Sequence, residues 1–225
     1  MRGVTYAESM KDLPCLVLAA TVWVYWSCVA AMSIRVRRRT RKLSGIVPSQ
    51  RGEQLMWLVW VPLVFAWMAL PLVAMRSSAP LWGLPDFARG MPWLAWRWLA
   101  ALLGLVWLGM SMACWRRMGR NWRMAVAPDE QTELVTGGLY GRVRHPIYAL
   151  SMLLMLCTLL VVPTWPVALM AALHIGLMMT KALNEERFLA GRHGERYRRY
   201  LQRTGRFVPR FGLSFGRDAV ESDER

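Results

Sequence analysis

Apolar residues along this chain gather into five nearly uncharged runs, separated by segments dense in arginine, glycine and proline. A hydrocarbon layer about 30 Å thick needs roughly 20 residues of helix to cross it, and three of the runs reach that length. They cover residues 13–34, 54–75 and about 94–115. Two shorter runs, 147–162 and 167–183, are split by the turn "PTWP". Each is about one turn short, which predicts a tilted hairpin that reaches the far interface only in part. Pro62 and Pro71 predict a kink in the second run unless neighbouring groups satisfy the carbonyls they release. The first run is long for a removable signal peptide and is followed, not preceded, by "RVRRRTRK", so it reads as an anchor. The pattern therefore predicts an all-α integral membrane protein of about five transmembrane helices, the last two paired as a hairpin.

Composition supports the class and charge supplies the topology. Hydrophobic residues make up 55% of the 225, and the net charge is +15. Of the 29 Lys and Arg residues, seven lie in 35–51, six in 116–144 and ten in 187–225, whereas the alternate connections hold two or none. That alternation follows the positive-inside rule and predicts an outside N-terminus and a cytoplasmic C-terminus. The basic charge is then a consequence of topology beside anionic membrane lipid, and a nucleic-acid partner is not expected. Cys15, Cys28, Cys114 and Cys157 all fall within runs, without metal-ligand spacing to the three histidines, and read as small packing residues. The cluster "MPWLAWRW" reads as an interfacial aromatic belt, with Arg97 snorkelling to water.

Two polar segments are longer than ordinary connections, 116–146 and 184–225. The first contains "APDEQTELVTGG", whose turn residues and acids predict an ordered excursion before the chain re-enters the membrane. The second continues the fifth helix. Its Phe188, Tyr197, Tyr200 and Phe207, set among arginines, fit an amphipathic stretch against the bilayer surface. The sequence thus divides into a three-helix part (1–115) with a basic cytoplasmic loop, a chemistry-bearing part (116–211), and a disordered tail (212–225).

The chemistry concentrates in "VTGGLYGRVRHPIYAL". Pro146 suits the first position of a helix, which sets His145 near the N-cap, where unpaired backbone N–H groups favour an anion. Gly137 and Gly138 permit a tight turn or close approach to a ligand. Within the fifth run His174, Met178, Lys181 and Glu185 are spaced by 4, 3 and 4 and share a helical face. Ionisable groups in a span turn toward the bundle or a wet cavity. Taken singly, each residue has a plainer reading: arginines mark a boundary, glycines make a turn, His174 is a packed core histidine. Together, donors from Arg144 and His145 converge with acceptors Glu185 and Glu186, an arrangement suited to a zwitterionic small molecule. Either His145 or Glu185 is a possible base.

"TGGLYGRVRHPIY" resembles the signature of the isoprenylcysteine carboxyl methyltransferase family and the related membrane phospholipid N-methyltransferases. "MGRNWR" before it, and "EERFLAGRHGERYRRY" with "RFVP" after it, follow that family's order. The resemblance covers roughly 116–211. It implies S-adenosylmethionine as methyl donor, bound in a cytoplasmic pocket of the C-terminal half, and a lipophilic or lipid-attached acceptor, a prenylcysteine-like carboxylate being favoured. Carried over by position, Gly138, Tyr140, His145, Tyr148, Glu186 and Tyr197 would bind the cofactor. Arg144, Lys181 and Glu185 would be the catalytic residues, with no metal. Leu139, Leu150 and His193 depart from the family pattern, and Leu150 would narrow the pocket. Two other readings stand beside this one: a membrane reductase using NADPH, of sterol-reductase type, and a small non-catalytic membrane subunit.

Overall fold

A computed structural model describes residues 6–40, 51–124 and 134–210. The expected tail (212–225), most of the "APDEQTELVTGG" excursion and the end of "RVRRRTRK" lie outside these residues. The described chain forms helices α1 (Tyr6–Thr40), α2 (Arg51–Arg76), α3 (Asp86–Arg89), α4 (Met91–Met118), α5 (Pro146–Val161) and α6 (Trp165–Arg203). Two short 3-10 turns, Gly119–Asn121 and Gly138–Gly141, flank the loop between α4 and α5. Four helices, α1, α2, α4 and α6, are long and apolar enough to cross a membrane, and α5 is a shorter apolar helix. This is an all-α membrane protein. α2 runs unbroken through Pro62 and Pro71, and the Trp23 indole donates to the Met68 carbonyl on the turn before the second proline.

At 16 residues α5 is about 24 Å long, less than the hydrocarbon thickness. An end that stops inside the layer needs protein partners, because lipid offers none. It packs most extensively on α4, where Ala100, Ala101 and Gly104 are buried. A Cβ at Gly104 would stand 3.3 Å from Leu18 of α1 and 3.4 Å from Leu154 of α5, so a small residue sets how closely the three helices approach. On the other side the fully buried Trp67 of α2 donates to Thr158 Oγ1 at 2.8 Å.

The C-terminal end of α5 explains Arg97. This residue does not snorkel; it is completely buried. Its Nε donates to Val161 O at 3.0 Å, Nη1 to Ala88 O at 3.2 Å, and Nη2 to Cys15 Sγ at 3.0 Å. Trp93 Nε1 donates to the neighbouring Leu160 O at 3.2 Å. The last carbonyls of a helix that stops inside the protein are acceptors without intrahelical donors, and α4 supplies donors to them. Cys15 is accordingly a hydrogen-bond acceptor as well as a packing residue.

The hairpin turn is tighter than "PTWP" suggested, since Trp165 and Pro166 already belong to α6 and only 162–164 intervene. α6 has 39 residues, about 58 Å, and extends well beyond a bilayer. Gly194, at φ 51°, breaks its line before Tyr197. The segment past the break packs against the residues leading into α5 and does not lie as an amphipathic face on the bilayer: Tyr197 is buried, and Tyr200 donates to Tyr140 O at 2.6 Å.

Replacing Arg97 with Met leaves two buried carbonyls without their donor, at about 1–3 kcal/mol each. Thermal unfolding in detergent should register a loss of about 2–4 kcal/mol. An unchanged melting temperature would contradict the capping role.

Candidate functional site

The residues before α5 and those after α6 are joined by backbone hydrogen bonds. Val143 and Gly205 form an isolated parallel bridge. Arg144 N donates to Gly205 O at 2.8 Å, His145 N to Arg206 O at 3.0 Å, and Gly205 N to Arg142 O at 3.1 Å. Gly205 is required here, because a Cβ would collide with the Val208 carbonyl. Gly138, at φ 66°, opens the 3-10 turn that delivers Tyr140. Gly137 is pressed against the Arg117 guanidinium and not against a ligand space. Pro146 is the first residue of α5 and His145 its N-cap, as predicted.

This pairing brings five charged side chains together. Glu186 accepts from Arg144 Nε at 2.9 Å and, through both oxygens, from Arg206 at 3.0 and 2.7 Å. Arg144 Nη1 also donates to the Leu201 and Thr204 carbonyls at the end of α6, where a cation complements the helix dipole. The His145 ring lies between the two glutamates, Nδ1 3.5 Å from Glu185 Oε2 and Nε2 3.4 Å from Glu186 Oε1. It stacks parallel to Tyr148 with centroids 5.3 Å apart, and the Tyr148 hydroxyl donates to Glu185. Burial opposes charging His145, but the carboxylates of Glu185 and Glu186 outweigh it and hold the imidazole above its ordinary range. Burial likewise pushes the Tyr140 hydroxyl well up, with nearby thiol, carboxylate and phenol groups adding to it, so Tyr140 is a neutral phenol.

Below this cluster a cavity of about 220 Å³ opens among α1, α2, α4, α5 and α6. Its polar end is lined by Tyr140, Arg144, His145, Tyr148, Lys181, Glu185, Tyr197 and Tyr200. Lys181 donates to Met124 O and stands over the Trp60 and Tyr148 rings, at 5.9 and 5.7 Å from their centroids. The inner end is formed by Tyr25, Trp26, Trp60, Trp115, Ser151 and His174. The full stripe predicted on α6, His174, Met178, Lys181 and Glu185, faces this space.

Seven of the predicted site residues line the cavity and two do not. Gly138 shapes the turn behind it. Glu186 is enclosed by Arg144, Arg206 and His145, so it orients other side chains. Leu150 does not narrow the space: it packs behind Tyr140 against Cys114. The aromatic wall from α1 and α2 had no usable signal, because tryptophans in an apolar run read as packing or interface residues. Arg206 had only the "RFVP" block to mark it.

Among the described residues, most buried side-chain polar atoms without a protein partner belong to residues lining this cavity, at Trp26, Trp60 and Trp115 Nε1, Tyr140 and Tyr197 Oη, His145 Nε2 and His174 Nδ1; the Glu53 carboxylate and His193 Nε2 lie outside its lining. For His145 the nearby Glu186 gives charge attraction without hydrogen-bond alignment. Buried polar atoms are ordinarily satisfied. Their concentration on one surface is the mark of a site whose partner is a ligand.

Residues 95–196 match the phospholipid methyltransferase family. That match makes this region similar to a family of membrane methyltransferases. The family region includes Arg144, His145, Tyr148, Lys181, Glu185 and Glu186; Tyr25, Trp26 and Trp60 of α1 and α2, and Tyr197 and Arg206, fall outside it. Among curated proteins the chain is similar to the nickel-cobalt-cadmium resistance protein NccN of Alcaligenes xylosoxydans xylosoxydans, 32% identical over 115 residues, 51% of this chain and 53% of that protein. It is also similar to the cobalt-zinc-cadmium resistance protein CzcN of Cupriavidus metallidurans, 34% identical over 117 residues, 51% and 52% of the two chains. The chain thus spans about half the length of these relatives.

The raised His145 pKa has a stability consequence of definite sign. The unfolded ring titrates near 6.5 and the folded one higher, so the His145 contribution is complete below about 6.5 and is lost as pH rises through the folded value. Melting curves in detergent should place wild type above His145→Gln at pH 6, with the gap shrinking at higher pH. A gap that is constant or widens with pH would contradict a charged His145.

Proposed function

We propose that the protein is an S-adenosylmethionine-dependent membrane methyltransferase acting on a lipophilic acceptor. The observation that carries this reading is the cavity itself, with a polar, charge-ordered end continuous with an aromatic inner end. Unpartnered donors and acceptors line both ends. The orphan atoms fit the proposed cofactor in kind. Phenol and imidazole groups of Tyr140, Tyr197 and His145 offer hydrogen bonds to a ribose and an amino-acid head, and the Glu185 carboxylate offers an acceptor to an ammonium group. The match of residues 95–196 to a methyltransferase family adds independent support.

When bound, the cofactor supplies a methyl group on a positively charged sulfur, open to in-line attack. The chain's own task is alignment and exclusion of water. Glu186 holds Arg144 and Arg206, and His145 is clamped between Glu185 and Glu186. Tyr148 is held both by its stack on His145 and by its bond to Glu185. These restraints fix the polar end before any ligand arrives, which lowers the ordering cost of binding. The inner end, walled by Trp26, Trp60 and Trp115, accepts an apolar chain from the membrane. Basic segments flanking the polar end support a cytoplasmic site and a cytoplasmic C-terminus.

A prenylcysteine-like carboxylate would depend on Arg144 for placement, yet Glu186 already shares that charge. The acceptor's reactive group is therefore addressed from the inner end of the cavity.

Isothermal titration of the detergent-solubilised protein should give measurable heat with S-adenosylmethionine. Loss of one charge-assisted hydrogen bond is worth about 1.5–3 kcal/mol. Glu185→Gln and His145→Ala should accordingly weaken binding by roughly tenfold to a hundredfold. Absence of heat in a folded wild-type protein, or binding indifferent to both substitutions, would sink the reading.

A further inference from the structure

The inner end of the cavity contains one basic atom that the polar cluster does not use. His174 lies seven residues before Lys181 on α6, about 10 Å of helix rise deeper in the protein. It is completely buried. Its Nε2 lies 2.9 Å from Ser151 Oγ of α5, and its Nδ1 has no partner although the residue lines the cavity. The Tyr25 hydroxyl of α1 interacts with the same Ser151, and Trp67 closes the side of the ring at 5.0 Å. Among the described residues the histidine ion pairs involve His145, not His174. A buried imidazole without a carboxylate beside it is neutral.

One of the two tautomers suits a base. In it the Ser151 oxygen accepts from His174 Nε2–H. Nδ1 then presents a lone pair to the cavity. The other bases lining the cavity are committed: Glu185 accepts from Tyr148 and faces His145, His145 is drawn toward its charged form by two glutamates, and Lys181 donates to Met124 O. The buried Glu53 carboxylate of α2, without a hydrogen-bond partner but attracted by Lys181, does not line the cavity.

We propose that His174 is the proton acceptor of the reaction and that the acceptor substrate is a lipophilic thiol. This rests on the methyltransferase reading. The choice among nucleophiles follows from the surroundings. A carboxylate or an alkylammonium arrives charged and would be stripped of water among indole rings at high cost. A thiol arrives uncharged, and its S–H proton becomes strongly acidic as the sulfur bonds to the methyl carbon, when a neutral imidazole can take it. In the step itself, the thiol sulfur forms a bond to the methyl carbon as that carbon's bond to the donor sulfur breaks, the bonding pair returning to the donor. The S–H proton passes to His174 Nδ1. One positive charge is present before and after, first on the donor sulfur and then on the imidazole.

The test uses the full chain in detergent with labelled S-adenosylmethionine, and dodecanethiol and dodecanoate as probes. Variants are His174→Gln and Ser151→Ala. Calorimetry reports cofactor binding, and quenching of the cavity tryptophans reports uptake of the thiol. Wild type should methylate dodecanethiol in preference to dodecanoate. His174→Gln should retain cofactor and thiol binding within about twofold while single-turnover methylation falls at least about 100-fold, the scale of general-base catalysis. The residual rate should climb about tenfold per pH unit, because only pre-formed thiolate then reacts. Ser151→Ala should lower the rate by about tenfold, and it decides the matter if His174→Gln fails to fold. Unchanged thiol methylation in folded variants that bind cofactor would overturn the proposal, as would methylation of dodecanoate alone by wild type. Wild type that binds no cofactor would instead overturn the methyltransferase reading, and this one with it.

Discussion

The Glu186 carboxylate joins two parts of the chain that the membrane would otherwise leave apart. It accepts from Arg144 at the entrance to α5 and from Arg206 beyond the end of α6, and it faces the His145 ring. A half-buried carboxylate is costly unless its lone pairs are taken up, and here two guanidinium groups take them up. Removing one partner would leave charge stranded among protein atoms, which makes the cluster an all-or-none unit. Because the same segments also share the Val143–Gly205 bridge, the ionic cluster and the backbone pairing hold one another in register. The orientation of His145, Tyr148 and Glu185 follows from that closure.

The short α5 helix is the second constraint. It is too short to reach across the hydrocarbon layer, and both its ends are served by protein. Arg97 and Trp93 of α4 satisfy carbonyls at its C-terminal end, and the backbone pairing with 205–206 takes up N–H groups at its N-terminal approach. Holding α5 in this position leaves a space between it and the longer α1, α2 and α6. That space is the cavity, and its two chemical characters reflect the level at which each wall lies. Side chains near the helix ends are charged and paired, whereas those a few turns deeper are aromatic, with Ser151 and His174 as the polar exceptions.

Much of this was legible in the sequence, for physical reasons. Spans were readable because hydrocarbon thickness fixes their length, and the α6 stripe because ionisable residues four and three apart in a span cannot all face lipid. Pro146 and His145 were readable as a helix start. What escaped depended on tertiary contact. Arg97 beside tryptophans looks interfacial until α5 is seen to end against it. Tyr197 among arginines looks like a surface residue until Gly194 turns the chain back toward the residues leading into α5. Tyr25, Trp26 and Trp60 sit in runs whose composition would be the same whether they faced lipid or a ligand. Glu186 was legible as an acceptor, but its enclosure by Arg206 depends on the segment after α6 folding back.

The proposed reaction requires that a polar cofactor and an apolar acceptor meet in this cavity. Its most direct test is an experimental structure of the protein in lipid nanodiscs with S-adenosylhomocysteine bound. Ligand density against Tyr148, Glu185 and Tyr197, with Glu186 still enclosed by Arg144 and Arg206, is the predicted result. Density on another face of the protein, or a cavity filled by α1 side chains with the ligand excluded, would contradict it.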